Sequence, residues 1–133
     1  MKIRILLLYL VVVGLAGCAG PTTSVPPESP PTPAALEALQ KVRAQYAEGS
    51  YGEVIRRVAT SDELAASSRA VRIEAYKLQA FSYCVSNYAQ LCEDAFVRIL
   101  RIDPAYTLAP NEAGHPTWGP VFRNAQRKAA ANP

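Results

Sequence analysis

The 133-residue sequence has few of the residues from which catalytic and cofactor sites are built. It contains a single histidine, His115, and no glycine-rich phosphate-binding loop. One imidazole without a nucleophile motif or a second ligand at metal-site spacing supports neither a catalytic triad nor a zinc site. We therefore expect no enzyme activity, no metal and no cofactor, and we expect His115 to position the turn before Pro116 through a hydrogen bond.

The sequence also has little excess charge. Its formal net charge is +3, and Lys2 and Arg4 supply two of these charges, which leaves +1 on the remainder. A nucleic-acid-binding domain needs a basic stripe on one face. The charge balance therefore argues against nucleic acid as a partner.

The first 17 residues lack the length of a membrane span but are typical of an export signal. The apolar run that begins at Ile5 ends near Ala16, which is short of the roughly 20 residues that a transmembrane helix requires. Lys2 and Arg4 precede this run and small residues follow it, which is the pattern of a cleaved signal peptide. We expect residues 1–17 to be removed.

The segment Leu15-Ala16-Gly17-Cys18 resembles the lipobox of bacterial lipoproteins. This resemblance implies a diacylglyceryl group on the Cys18 sulfur, cleavage before Cys18 and an N-acyl chain on its new amino group. Two or three acyl chains anchor a protein stably because each buried methylene contributes about 0.8 kcal/mol. Cys18 is followed by Ala19 and not by the aspartate that retains such lipoproteins in the inner membrane. The resemblance therefore implies the periplasmic face of the outer membrane. An ordinary secretory peptide that happens to contain Cys18 is the alternative.

Residues 18–33 are rich in proline and contain almost nothing that could build a core. Proline favours the polyproline II conformation at about 3.1 Å per residue, so this segment could hold a domain up to roughly 40 Å from its anchor. We interpret residues 18–33 as a linker. A proline-rich docking motif is the alternative.

Residues 34–133 predict an all-α domain, since apolar residues recur every three or four positions and no strand-like alternation of useful length occurs. The spacing predicts one antiparallel helix pair over 34–48 and 51–60 and a second over 70–84 and 89–102. A further helix near the carboxy terminus, capped by Thr117 and with Pro120 in its first turn, is expected to cover the second pair. Its apolar stripe consists of Trp118, Val121, Phe122 and Ala125.

The second pair resembles a tetratricopeptide repeat. The matching positions are Tyr76, Ala80, Tyr83, Phe96 and the closing Pro104. The first pair fits less well: Val42 replaces the small residue, and aligning Gly49 with Asn87 gives an offset of about 38 residues instead of 34. The departure predicts an extended connection near 62–68. The resemblance implies helix pairs that stack because neither can bury its apolar face alone.

Stacking of this kind would bring charged and aromatic side chains of the first helix of each pair onto one surface. Such a surface suits a peptide or helix from a partner protein. Solvated helix surface is the alternative. The candidate groove residues are Arg43, Tyr46, Glu74, Lys77 and Phe81.

A narrower resemblance rests on Phe81-Ser82-Tyr83-Cys84 with Cys92, on the segment 100–106, and on the segment 112–122. These stretches are similar to small repeat-containing lipoproteins associated with bacterial type VI secretion systems. The resemblance implies a non-enzymatic accessory lipoprotein whose partners are proteins of the secretion apparatus. An assembly factor or pilotin for outer-membrane proteins is one alternative. A structural spacer lipoprotein, which needs no groove, is another.

With Cys18 lipidated, Cys84 and Cys92 remain as an even pair on facing helices, either side of a short turn. A disulfide requires Cα atoms within about 7 Å, and the periplasm is oxidising. We expect a bridge between Cys84 and Cys92, with two buried thiols as the alternative. The pair is not Cys-x-x-Cys, so redox catalysis is not expected.

Overall fold

The computed structural model describes residues 27–131 of the chain. The predicted signal peptide, Cys18 and the part of the predicted linker before Pro27 lie outside the described residues. Between residues 27 and 131 the chain is helical and contains no strand, which confirms the all-α prediction. None of the helices in this range is long and apolar enough to cross a membrane.

Seven helices follow one another along the described chain. The four helices of the two predicted pairs begin and end within one residue of their predicted bounds, whereas two short helices were not predicted. The helices are α1 (Pro33–Ala47), α2 (Tyr51–Thr60), α3 (Asp62–Ala65), α4 (Arg69–Val85), α5 (Ala89–Ile102), α6 (Pro110–Ala113) and α7 (Gly119–Ala131).

The connection near residues 62–68, which the offset of 38 predicts to be longer than usual, contains helix α3. The Ser61 hydroxyl accepts the N–H of Leu64 at 3.2 Å and so caps this turn. Leu64 is buried in the core of the first pair. A side-chain cap and one buried leucine therefore hold a turn of helix that is too short to show a hydrophobic period.

Residues 28–32, which the composition assigns to the linker, contact the folded domain. The Thr32 hydroxyl accepts the N–H of Ala35 at 3.2 Å and caps α1. The Glu28 carboxylate accepts the N–H of Arg69 at the start of α4. Ser68, which precedes α4, makes no capping bond with its own side chain. Glu28 therefore serves as the cap of α4, at the end of the helix where negative charge is favourable.

The two turns between paired helices have the same hydrogen-bond pattern, displaced by 38 positions. In the first turn Gly49 donates to the Tyr46 carbonyl and Ser50 to the Gln45 carbonyl; in the second, Asn87 donates to the Cys84 carbonyl and Tyr88 to the Tyr83 carbonyl. Gly49 and Asn87 both have positive φ, at 76° and 64°. Each turn is a Schellman motif. The backbone hydrogen bonds thus show the same offset of 38 positions that the alignment of Gly49 with Asn87 gives in the sequence.

The helices pack in sequence: α1 against α2 and α4, α2 against α4, α4 against α5, and α5 against α7. The core has two parts that meet at Tyr46 and Tyr76, which pack against both. Buried aliphatic side chains of this kind contribute about 1.5–3 kcal/mol each. The first part comprises Leu39, Val42, Val54, Val58, Leu64, Val71 and Ala75.

The carboxy-terminal helix covers the second pair, as its apolar stripe predicts. Phe122 and Ala125 of α7 are buried in the same cluster as Phe96 of α5. Pro120 lies in the first turn, as predicted, but the capping prediction for Thr117 is wrong. The helix begins at Gly119, so Trp118 precedes it, and Thr117 instead donates its N–H to the His115 ring.

Candidate functional site

The predicted groove residues lie on the two neighbouring helices α1 and α4. We call the part of this surface formed by Arg43, Tyr46, Glu74 and Lys77 the α1–α4 surface. Arg43 and Tyr46 come from α1, and Glu74 and Lys77 come from α4. The packing of α1 against α4 brings these side chains to one face although about thirty positions of sequence separate the two pairs.

Arg43 and Glu74 form a two-point ion pair across the helices. The Arg43 Nε and Nη2 atoms each lie 2.6 Å from a Glu74 carboxylate oxygen. The hydrogen bond from Arg43 lowers the pKa of Glu74, against the opposing effect of burial. The same bond raises the pKa of Arg43. Both groups therefore stay charged at neutral pH, in the fork geometry that suits a guanidinium and a carboxylate.

Lys77 pairs with Glu112 of α6, whose carboxylate oxygen lies 2.7 Å from the Lys77 Nζ. The other Glu112 carboxylate oxygen accepts the N–H of Ala109. The backbone carbonyl of Glu112 accepts the indole N–H of Trp118 at 2.9 Å. Glu112 thus fastens the loop between α5 and α7 onto α4. Sequence reasoning missed this residue, although Pro110 followed by an acidic residue in the first turn is a helix-start signal.

Phe81 does not belong to the α1–α4 surface, and its assignment to a groove is corrected. The side chain is only 3% exposed. Its ring stacks on Trp118 at 4.2 Å between centroids and meets Phe96 edge-on at 6.1 Å. The loop that carries Trp118 covers this side of helix α4, so Phe81, four residues after Lys77 and seven after Glu74, lies in the core.

Two tyrosines border the charged pairs. Tyr46 is half-buried and meets Tyr51 edge-on at 5.6 Å. Burial, followed by Tyr51 and Glu112, raises the pKa of Tyr46. Burial, followed by Glu112 and Glu74, raises the pKa of Tyr106 to about 12. Both hydroxyls therefore remain protonated at neutral pH and can donate hydrogen bonds.

His115 makes a side-chain hydrogen bond, as predicted, but to the residue that follows Pro116. Its Nδ1 accepts the N–H of Thr117 at 3.2 Å. The imidazole also lies flat on the Trp118 indole, with 3.4 Å between ring centroids and 4° between planes. Within residues 27–131, no group of three or more His, Cys, Asp or Glu side chains is placed to hold a metal ion.

Cys84 and Cys92 lie at disulfide distance. Their sulfur atoms are 2.11 Å apart and their Cα atoms 5.2 Å apart. The pair joins the last turn of α4 to the first turn of α5, and both side chains are buried. At the offset of 38 positions, Cys84 and Cys92 correspond to Tyr46 and Val54 of the first pair. The two cysteines thus take the positions that an aromatic and an aliphatic residue hold in the first pair.

Comparisons of this chain with protein-family models, curated proteins and solved structures found no match.

Proposed function

We propose that this protein is an adaptor, anchored by lipid on Cys18 to the periplasmic face of the outer membrane, that binds a protein segment on the α1–α4 surface. We propose further that it serves as an accessory of the type VI secretion system. The lipobox-like segment before Cys18 and the similarity of residues 81–84, 100–106 and 112–122 to that lipoprotein family support the location and the system.

The repeated turn carries the adaptor proposal. Equivalent hydrogen bonds at Gly49 and Asn87 mean that the two pairs share the same turn, and α1 and α4 are the first helices of successive pairs. Arrays of repeated helix pairs hold an extended face for partners, because each unit adds equivalent positions to it. We interpret the two pairs as tetratricopeptide-like units, with α7 as the covering helix.

The exposed chemistry of the α1–α4 surface indicates the kind of segment that it would bind. Arg43 is the more exposed member of its ion pair, with 47% of its side chain accessible against 35% for Glu74. A partner carboxylate can therefore reach Arg43 while an apolar neighbour contacts the half-buried ring of Tyr46. Helical or extended segments dock on such faces through a few anchor side chains. We expect the partner segment to combine an acidic and an apolar residue.

The test exploits the internal pairing of Arg43 with Glu74. Arg43→Glu breaks the pair and reverses the surface charge, whereas the double variant R43E/E74R restores a pair of opposite polarity. A photo-crosslinking amino acid at Gln40, which is exposed on α1, reports on partner contact. We expect wild type to form an adduct of defined mass with a secretion-apparatus component and both reversed variants to lose that adduct.

The control is Arg127→Glu, which reverses an exposed charge on α7, away from the α1–α4 surface. Secretion by the type VI system, measured in cells that carry each variant, gives the functional readout. Retention of the adduct and of secretion by R43E/E74R would show that the pair is only structural. Absence of any adduct in the wild type would favour a spacer lipoprotein instead. Labelling with a radioactive fatty acid, compared with Cys18→Ser, tests the anchor separately.

A further inference from the structure

A polar cavity lies between the amino-terminal half of α1 and the carboxy-terminal half of α2. Its volume is about 370 Å³, and its lining includes Ala34, Lys41, Arg56 and Arg57. Glu37 and Glu63 also line it, so basic and acidic side chains are mixed around the cavity. The cavity lies apart from the α1–α4 surface and shares none of that surface's residues.

Arg57 distinguishes this cavity from an ordinary charged surface. Lys41 pairs with Glu37, and Arg56 pairs with Glu53. Arg57 is half-buried, and its Nε donates to the neutral Gln45 amide oxygen at 2.9 Å. Within residues 27–131 no carboxylate contacts its guanidinium. A partly buried guanidinium without an anionic partner retains donors that can hold an anion in fork geometry.

The start of α1 adds a backbone donor at the same place. The Thr32 hydroxyl accepts the N–H of Ala35, and the Thr32 carbonyl accepts the N–H of Leu36. No partner for the Ala34 N–H lies in the described part of the chain. The first turn of α1 contains no acidic side chain to balance the positive end of the helix dipole. A free N–H at a helix start favours an anion there.

We propose that this cavity binds a phosphate group, with Arg57 as its principal ligand, Lys41 and Arg56 as supporting charges and the Ala34 N–H as a backbone donor. Phosphate offers several oxygens at once, which matches a guanidinium, further basic side chains and a helix start. The cavity lies beside Pro33, where the chain enters the domain from the predicted linker. The headgroup of a membrane phospholipid and a free phosphate compound share this chemistry.

The first experiment uses the full chain as purified, in a non-ionic detergent, titrated with inorganic phosphate and followed by backbone amide NMR. We expect saturable shifts at Ala34 and Arg57. The change Arg57→Gln should weaken binding by about tenfold, since it removes a charge-assisted hydrogen bond. Arg127→Gln, which removes a basic side chain from α7, should bind phosphate as wild type does.

The second experiment places the same chain in vesicles of phosphatidylcholine alone or with phosphatidylglycerol, and measures amide hydrogen exchange. Greater protection of residues 34–41 and 56–63 in the anionic vesicles, lost in Arg57→Gln, assigns the site to a lipid headgroup. Binding of inorganic phosphate without this protection assigns it to a soluble phosphate compound. Shifts that do not saturate, or equal weakening by Arg127→Gln, overturn the proposal. The vesicle experiment depends on the proposed anchor, which the mass of the purified chain verifies independently. The titration with inorganic phosphate does not depend on the anchor.

Discussion

The Phe81 ring of α4 stacks on the Trp118 ring, with 4.2 Å between centroids and 19° between planes. Trp118 also donates its indole N–H to the Glu112 carbonyl and supports the His115 ring on its other face. One side chain thus joins the loop before α7 to the core of the second pair. Stacked aromatic pairs of this kind add about 0.5–1.5 kcal/mol beyond the burial of their area.

Removal of this ring should destabilise the protein strongly. We expect Trp118→Ala to lower the free energy of unfolding by about 3–5 kcal/mol, because it leaves a cavity against Phe81. Trp118→Phe should cost less, since it keeps a stacked ring but loses the bond to Glu112. Urea unfolding followed by far-UV circular dichroism measures both variants. A loss below about 1 kcal/mol for the alanine variant would place the ring outside the core.

The proximity of Cys84 and Cys92 predicts an oxidised pair in the purified protein. In denaturant without reductant we expect no thiol to react with a labelling reagent, because a disulfide would join Cys84 and Cys92 and the proposed lipid would block Cys18. Reduction should lower the free energy of unfolding by about 2–3 kcal/mol, from the entropy of a short closed loop. The double variant C84A/C92A should show no response to reductant. Two reactive thiols in the unfolded, unreduced chain would refute the bridge.

The two Schellman turns should respond oppositely to substitution. Gly49→Ala should cost about 1 kcal/mol, since an L-residue with a Cβ resists positive φ. No atom lies within 4 Å of a Cβ at Gly49, so the cost is one of backbone conformation alone. Asn87→Gly should be neutral or stabilising for the same reason. Thermal unfolding of both variants tests the equivalence, and a stabilising Gly49→Ala would contradict it.

Tyr106 should titrate later than an ordinary phenol. Its pKa rises from 10.0 to about 12, chiefly through burial and then through Glu112 and Glu74. Between these values the unfolded chain releases the Tyr106 proton and the folded chain keeps it, so stability falls as pH rises through this window. Absorbance at the tyrosinate band should show a late step that Tyr106→Phe lacks. A wild-type curve without that step would contradict the burial of the hydroxyl.

The long helices could be predicted because each carries a local signal over many residues. The apolar spacing of Leu39 and Val42, for example, continues through the buried face of α1. Gly49 marks the first turn through its tolerance of positive φ, and Asn87 shares this property. Helix α3 has four residues, which is too short for any period to appear. Its cap, Ser61, was the one signal available.

The candidate site was harder to predict because its contacts join distant parts of the chain. Helical spacing correctly placed Glu74 and Lys77 near one another, but spacing alone cannot say what covers the next turn. The loop before α7 determines that Phe81 is buried and that Lys77 pairs with Glu112. The path of that loop depends on the docking of Trp118, a contact 37 positions from Phe81.

The contact of Glu28 with the start of α4 shortens the free part of the linker between the domain and its proposed anchor. Glu28 lies ten positions after Cys18, and a fully extended chain over ten positions spans at most about 35 Å. With the proposed anchor at Cys18, a partner that the domain contacts would lie within this distance plus the length of the domain from the bilayer. A force applied at the anchor would act first on the hydrogen bond between the Glu28 carboxylate and the Arg69 N–H. This bond would transmit the force to α4, the helix that carries Glu74 and Lys77.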